Sequence, residues 1–374
     1  MNNKGKQMKI YQIGGSVRDK ILGITPNDKD YVVIGSNIDE MKSLGFIQVG
    51  KSFPVFLHPE TKEEYALARK EIKTGTGHRD FKFIFDDNIT LEEDVQRRDF
   101  TCNALAYDEK NDKIIDLVGG INDINNKILR HINTNHFPED PLRILRMCRF
   151  CAKLNFKIAN ETLELTKQMV RDNLLDYLSK ERIWQEIENA LNNKNFNIFL
   201  SALDKCDALE KLLPEFNVLL NTDLINELEK VPSITPEIKF AILVYNTTPY
   251  NALNKLYSRI MIPKKYILTI KKLYLYYNDF YNLTIENKEE IILFLDNIGA
   301  FTSLQELNKF LLIYKYCQTD IAKFKKSEEL CLSTYEILKN IKPQNMENFE
   351  QIPKDKNFKN IFNKYRLSIL EKKL

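Results

Sequence analysis

Ile13-Gly14-Gly15-Ser16-Val17-Arg18-Asp19, followed shortly by Asp28-Lys29-Asp30, is the stretch on which the reading of this chain turns. Just before it, Ile10 to Ile13 is a short apolar run of strand character that enters a Gly-Gly turn. A helix over about Val17 to Leu22 is expected next, and Tyr31-Val32-Val33-Ile34 reads as a second strand. Asp28 and Asp30 stand two residues apart as that strand begins, so their carboxylates are expected on one face of the pleat. Paired acids of this kind share hard divalent cations, with phosphate oxygens of a substrate completing the coordination. The glycines let a phosphate chain approach the backbone, the helix start behind them offers N–H donors, and Arg18 adds positive charge. The pattern predicts a site for nucleotidyl transfer.

Working outward, a length of 374 residues implies two or more domains, and a hydrophobic content of 43% is enough for real cores. The formal net charge is only +3, from 55 basic and 52 acidic residues. Overall charge therefore announces no nucleic-acid partner, and any basic surface must come from local clustering. Met1-Asn2-Asn3-Lys4-Gly5-Lys6 lacks the apolar region of a signal peptide, and no run reaches the roughly 18 apolar residues of a membrane span. A cytoplasmic protein is expected, with its six cysteines as free thiols. Cys148 and Cys151 have C-x-x-C spacing, but no second Cys or His pair completes a zinc site, so buried core positions are expected.

Residues 1 to about 130 mix short strands and helices. Phe53-Pro54-Val55-Phe56-Leu57-His58 and Glu64-Tyr65-Ala66-Leu67-Ala68-Arg69 read as strands. Glu64 is a candidate third carboxylate for the metal site, with a plain solvent-facing glutamate as the alternative. The glycine-punctuated segment Lys73 to Asp80 reads as a mobile loop. After the acidic run Glu92-Glu93-Asp94 comes Arg97-Arg98-Asp99-Phe100-Thr101-Cys102-Asn103-Ala104. There Asp99 suits a helix N-cap and the arginines suit phosphate. Ile115 to Gly120 reads as a strand and turn, and Asn122 to Arg130 as a short helix or turn.

At Glu139-Asp140-Pro141-Leu142-Arg143-Ile144-Leu145-Arg146 the character turns all-helical, with Asp140 at N-cap and Pro141 at N1. Arg143, Arg146 and Arg149 form one basic stripe, leaving Leu142, Leu145 and Phe150 for the core. A capped helix with a basic outer face would explain these residues. A guanidinium beside a fixed carboxylate can also pair with the edge of a base. From about residue 155 helix follows helix, broken by prolines, with Ser179 expected to cap one of them and no repeat of fixed period. Lysines interleave with tyrosines around Lys264, Lys265, Lys271 and Lys272, and a basic cluster from Lys354 to Lys373 closes the chain. Such patches suit an RNA backbone or a solvated helical face.

Four motifs, in this order, resemble those of the class II tRNA nucleotidyltransferases, the CCA-adding enzymes and bacterial poly(A) polymerases. They are Gly14-Gly15-x-Val17-Arg18-Asp19 with Asp28-x-Asp30; Arg97-Arg98-Asp99 with Asn103-Ala104; Asp116 with Gly120 and Asp123; and Glu139-Asp140-x-x-Arg143 with Arg146. The match is to the bacterial CCA-adding type and covers about the first 200 residues. The resemblance implies an α+β fold: a mixed-sheet nucleotidyltransferase head at 1–137, a helical neck at 138–205, and a helical body and tail at 206–374 that hold tRNA. By the same resemblance Asp28 and Asp30 bind Mg²⁺, and Gly15, Arg18, Arg98, Arg143 and Arg146 contact the nucleotide. Asp140 and Arg143 imitate base pairing to choose CTP or ATP. The loop from Gly75 to Arg79 matches one that aids the switch from C to A, which favours full CCA addition. A poly(A) polymerase with the same head, or an inactive RNA-binding relative, are the alternatives. Some relatives carry a His-Asp phosphohydrolase centre in the C-terminal part. Here Tyr245-Asn246 stands at that place and no histidine follows His136, so no such activity is expected.

Overall fold

The computed structural model describes residues 8–26, 28–49, 55–73, 81–84, 87–347, 349–351, 354 and 357–373. Of the loop expected from Lys73 to Asp80, all but Lys73 lies outside the described residues, as do Phe53, Pro54 and Lys356. The chain divides into two compact units, Met1–Leu220 and Asn221–Leu374. The helical neck thus falls in the same unit as the head.

The first unit opens with β1 (Lys9–Ile13), α1 (Gly15–Ile21) and β2 (Asp30–Ile34). Aromatic and β-branched residues make both strands suited to a pleated, half-buried surface. They pair antiparallel in a register that sets Ile13 opposite Asp30. The Gly-Gly turn forms where it was expected, chiefly through Gly14, whose φ of 86° is unfavourable for residues with a Cβ. α2 (Ile38–Ser43), β3 (Ile47–Val49), β4 (Val55–Leu57) and β5 (Glu64–Leu67) follow, the last shorter than expected because Ala68 and Arg69 leave the strand. Next come the hairpin β6 (Lys70–Lys73) and β7 (Phe81–Ile84), then α3 (Leu91–Gln96), β8 (Ala106–Asp108) and β9 (Lys113–Ile115).

Seven strands form one mixed sheet in the order β3-β4-β5-β2-β1-β8-β9, in which only β2 and β5 run parallel. Alternation along β2 separates two cores. Val32 packs with Ile13, Val95 and Ala106, whereas Tyr31 and Val33 pack with Met41, Phe56 and Tyr65. Asp30 is in step with Val32, so its carboxylate belongs to the Val32 face. Asp28 lies in the segment before the strand, so the expectation that both carboxylates leave one face of the pleat applies to Asp30 alone.

α4 (Gly120–Asn125) and β10 (Ile128–Leu129) lead to α5 (Leu142–Leu154), β11 (Lys157–Ile158), α6 (Asn160–Arg171), α7 (Lys180–Asn192), α8 (Phe196–Lys205) and α9 (Leu209–Leu212). The Asp116 carboxylate accepts the N–H groups of Val118, Gly119, Gly120 and Ile121, fixing the entry to α4. Ser179 caps α7 by accepting the Arg182 N–H. On α5, Leu142, Ile144, Leu145, Met147, Cys148 and Cys151 are buried, while Arg143, Arg146 and Arg149 are not fully so. Cys148 and Cys151 are therefore core residues, as their spacing suggested. The apolar stripe packs against α7 and α8.

The second unit consists of α10 (Leu224–Glu229), α11 (Pro236–Thr247), α12 (Leu253–Arg259), α13 (Lys264–Tyr281), α14 (Lys288–Ile298), α15 (Leu304–Lys315), α16 (Ile321–Leu338) and α17 (Phe358–Lys373). Phe280 packs against Phe294, Phe310 and Tyr314 at its centre. Two residues of the expected basic patches are structural instead. Lys272 donates to the Ile298 carbonyl at 2.7 Å and to Glu306 at 2.6 Å, tying α13 to the end of α14. Arg366 is 6% exposed, lies over Phe301 and pairs with Asp296. Lys264, Lys265 and Lys271 are exposed.

Gly120 shows why its motif needs glycine: a Cβ there would sit 2.4 Å from the Thr101 carbonyl oxygen and 3.1 Å from Leu105 Cδ2. Gly120→Ala is expected to cost about 1–3 kcal/mol, as overpacking does. Urea unfolding of the variant should show a lower midpoint at unchanged slope, and a wild-type midpoint would contradict the close approach.

Candidate active site

Within the first unit a cavity of about 840 Å³ opens between the Gly14–Gly15 turn, the start of β2, the end of α3 and one side of α5. Gly15, Arg18, Asp28, Asp30, Arg98, Asp140, Arg143 and Arg146 all line it. Three of the four motifs, dispersed over more than a hundred residues of chain, thus reach one space, whereas Asp116, Gly120 and Asp123 do not line it. Glu64 does not line it, although it pairs in register with Asp30 across β2 and β5.

The acidic end is electrostatically tense. Asp28 and Asp30 are exposed. Even so, the protein packed around Asp30 raises its carboxyl above the ordinary range, and Glu64 and, less strongly, Asp28 raise it further, while Arg98 opposes them. A divalent cation relieves such like-charge repulsion, so this donor set fits one. Among the described residues no cluster of three His, Cys, Asp or Glu side chains could hold a metal by itself. Glu64 acts on Asp30 through its charge, from outside the cavity lining.

The basic wall is built on carboxylates that sequence reasoning passed over or placed differently. Asp94 is fully buried on α3, where capping by Thr90 and Glu93 fixes the helix start. Its Oδ1 accepts from Arg97 Nε and Nη2, and its Oδ2 from Arg98 Nε and Nη2. Burial alone would raise this carboxyl, but Arg98 and Arg97 outweigh it and bring it down to about 2. Asp99 is a second such anchor rather than the expected helix N-cap. Its Oδ2 accepts from Arg146 Nε at 2.9 Å and Nη2 at 2.6 Å, while Oδ1 takes the Phe100 N–H and the Asn103 amide. Burial pushes Asp99 up, and Arg146 overrides it to leave the carboxyl below its usual range.

Arg18 is only 2% exposed. Its fork donates to Asp19 Oδ1, and Nη1 donates to Asn103 Oδ1 at 2.5 Å. Its donors thus hold α1 to the turn at Asn103 besides lining the cavity. Arg143 donates to the carbonyls of His136 and Arg97, and Arg149 to Glu186. Asp140 behaves as an N-cap, its Oδ1 accepting the Leu142 N–H at 3.1 Å. Its Oδ2 accepts from Arg182 of α7 at 3.0 Å. Arg182, Asp94 and Glu186 were not singled out from sequence, because their partners lie on other elements and no local spacing marks them.

Residues 10–130 match the family model described as "Poly A polymerase head domain", and residues 155–220 match "Probable RNA and SrmB-binding site of polymerase A". The CCA-adding enzyme of Actinobacillus succinogenes is 53% identical over 211 residues, which is 56% of this chain and 52% of that protein. The multifunctional CCA protein of Aliivibrio salmonicida is 51% identical over 215 residues, 57% of this chain and 52% of that one. The chain spans about half the length of these curated relatives. Among solved structures, the Bacillus stearothermophilus CCA-adding enzyme in complex with CTP shares the fold, with a TM-score of 0.69 at 20% identity over 99% of this chain and 91% of that one. A tRNA-processing enzyme with CTP matches at a TM-score of 0.64 and 25% identity, over 98% of each chain. The class that fold and comparison define is that of a poly A polymerase head, matched over residues 10–130. The relatives and solved structures named above are CCA-adding and tRNA-processing proteins.

Asp94 gives a pH signature. Its folded-state pKa lies below the unfolded value, so its stabilisation is present above about pH 4 and is lost as pH falls toward 2. The shift corresponds to about 2–3 kcal/mol. Asp94→Asn should lower unfolding free energy by about that much at pH 7, with the gap from wild type narrowing as the pH falls below 4. A gap independent of pH would contradict the ionic origin.

Proposed function

We propose that the protein is a tRNA nucleotidyltransferase that builds or repairs the 3′-terminal CCA of tRNA from CTP and ATP, releasing pyrophosphate. One observation carries this reading: all eight candidate site residues converge on a single cavity with an acidic end and an arginine wall. The names of its relatives, CCA-adding enzyme and multifunctional CCA protein, support the choice of tRNA and of the two nucleotides. A cytoplasmic location suits such a substrate, and none of the described helices is long and apolar enough to cross a membrane.

In this reading the tRNA 3′-hydroxyl attacks the nucleotide α-phosphorus in line with the departing pyrophosphate. Asp28 and Asp30 are the residues that would hold Mg²⁺, which supplies Lewis-acid activation of the hydroxyl and charge neutralisation at the phosphates. The chain's own cations, Arg98 and Arg146 foremost, face the negative charge that develops on the phosphoryl oxygens. Asp94 and Asp99 keep those guanidiniums in place before substrate arrives, so little reorganisation remains for the reaction itself. Asp140 and Arg143 supply acceptor and donor edges from one helix start, and Arg182 and the His136 and Arg97 carbonyls orient them. In the second unit we assign no phosphohydrolase centre. Tyr245 stacks on Tyr277, and Asn246 donates to the Ile242 carbonyl.

Incubating tRNA that lacks its terminus with labelled CTP and ATP tests the assignment. The expected product gains C, C and A and then stops; a growing A tail would replace the reading with poly(A) synthesis. Asp28→Asn and Asp30→Asn should each lower turnover by about a thousandfold or more, the scale of losing several kcal/mol of charge stabilisation, while tRNA binding persists. Asp140→Ala and Arg143→Ala should instead blur discrimination among CTP, ATP and UTP more than they weaken binding. Unaltered discrimination would remove their base-reading role.

A further inference from the structure

The side of α5 that faces the cavity carries Arg143, Arg146, Arg149 and, one turn further on, Lys153. From first to last they span ten residues, or about 15 Å of helix. Each arginine of the cavity wall is already engaged by protein. Arg143 serves two carbonyls, Arg146 serves Asp99 and Arg149 serves Glu186. Arg18 serves Asp19 and Asn103, Arg97 and Arg98 serve Asp94, and Arg69 too has a partner.

Lys153 differs from all of them. Among the described residues its ammonium has no hydrogen-bond or ion-pair partner, although it lines the same space. Although Lys153 is exposed as a whole, the protein packed around its ammonium lowers its proton affinity, Arg18 and Arg149 lower it further, and Asp19 opposes them. An uncommitted cation held beside two other cations is unfavourable in the empty protein and becomes favourable when an anion enters.

We propose that Lys153 is a substrate-binding residue whose ammonium takes the terminal phosphates of the incoming nucleoside triphosphate. The proposal rests on the nucleotidyl-transfer reading of the cavity. The direction of α5 makes the assignment. Asp140 and Arg143 stand at its N-terminal end, where the base is read. Lys153 lies at its other end, within electrostatic reach of Arg18 and Asp19 beyond the Gly14–Gly15 turn. A nucleotide laid along the helix with its base at the first end directs its phosphate chain toward the second. A compact ammonium with three rotatable donors suits terminal phosphate oxygens, whereas the Nε–Nη2 forks of Arg98 and Arg146 already grip Asp94 and Asp99.

Calorimetric titration of CTP and of CMP into wild-type protein and Lys153→Met tests this. CTP should bind about tenfold more weakly to the variant, the scale of one charge-assisted contact, while CMP binding stays unchanged. Lys153→Arg should recover part of the loss, and KM for CTP and ATP should rise with kcat little altered. Equal CTP affinity in wild type and Lys153→Met, or equal losses for CTP and CMP, would overturn the proposal. So would a loss seen only when tRNA is titrated, which would assign the ammonium to an RNA phosphate. Wild-type protein that binds no CTP would overturn the nucleotidyl-transfer reading along with it, whereas the other outcomes strike at Lys153 alone. Lys153 is exposed, so Lys153→Met should melt at the wild-type temperature.

Discussion

Buried carboxylates hold the arginine wall of the cavity. Asp94 grips Arg97 and Arg98, and Asp99 grips Arg146. Without these anions the guanidiniums would repel one another, and a cavity assembled around them would not keep its shape. Without the arginines, Asp94 and Asp99 would be charges stranded in the interior, at a cost of several kcal/mol each. Each partner makes the other tolerable. The arrangement is strong chiefly because one side is buried, since the same pairs at a surface would contribute little.

This interlock also joins the secondary structure elements that form the site. Asp99 follows α3, Arg146 lies on α5, and Asn103 sits between Asp99 and Arg18 of α1. A chain of hydrogen bonds thus runs from the Gly-Gly turn to the α5 helix. Behind it the mixed sheet fixes Asp30 by its register with Ile13, and the alternation of β2 aims that carboxylate to the Val32 side of the sheet. The acidic end and the basic wall are therefore positioned by separate means: sheet register for one, buried ion pairs for the other. An acidic end and a basic wall held by separate means keep their separation, because neither half can relax toward the other.

The division of cations between structure and function follows the same logic. Most arginines of the wall have their donors taken by protein, and they act as a fixed positive field. Lysine, with its flexible stem and point charge, is left to meet what arrives. In the second unit, Lys272 and Arg366 show the reverse use of basic residues, spent on fastening helices rather than on a surface.

Much of this was legible in the sequence. The Gly-Gly turn, the alternating strand at Tyr31 to Ile34, the amphipathic stripe of α5 and the acid pair are local patterns, set by the stereochemistry of a few adjacent residues. The order of the motifs carried the family, and all eight candidate residues reach the cavity because such motifs mark elements that the fold brings together. What local patterns could not decide were the partners. Whether Asp99 caps a helix or grips an arginine 47 residues later depends on where α5 packs, and that is settled by the burial of Leu145 and Cys148. The same holds for Arg18, which proves to be a buried clamp. It holds for Glu64, whose charge reaches Asp30 from outside the cavity lining, and for Lys153, whose lack of a partner among the described residues is a matter of tertiary placement. Sequence determined the elements and the chemical groups they carry, because those are properties of short stretches. The tertiary structure alone decided which charges neutralise each other and which remain for a ligand, because pairing is a matter of distance in space.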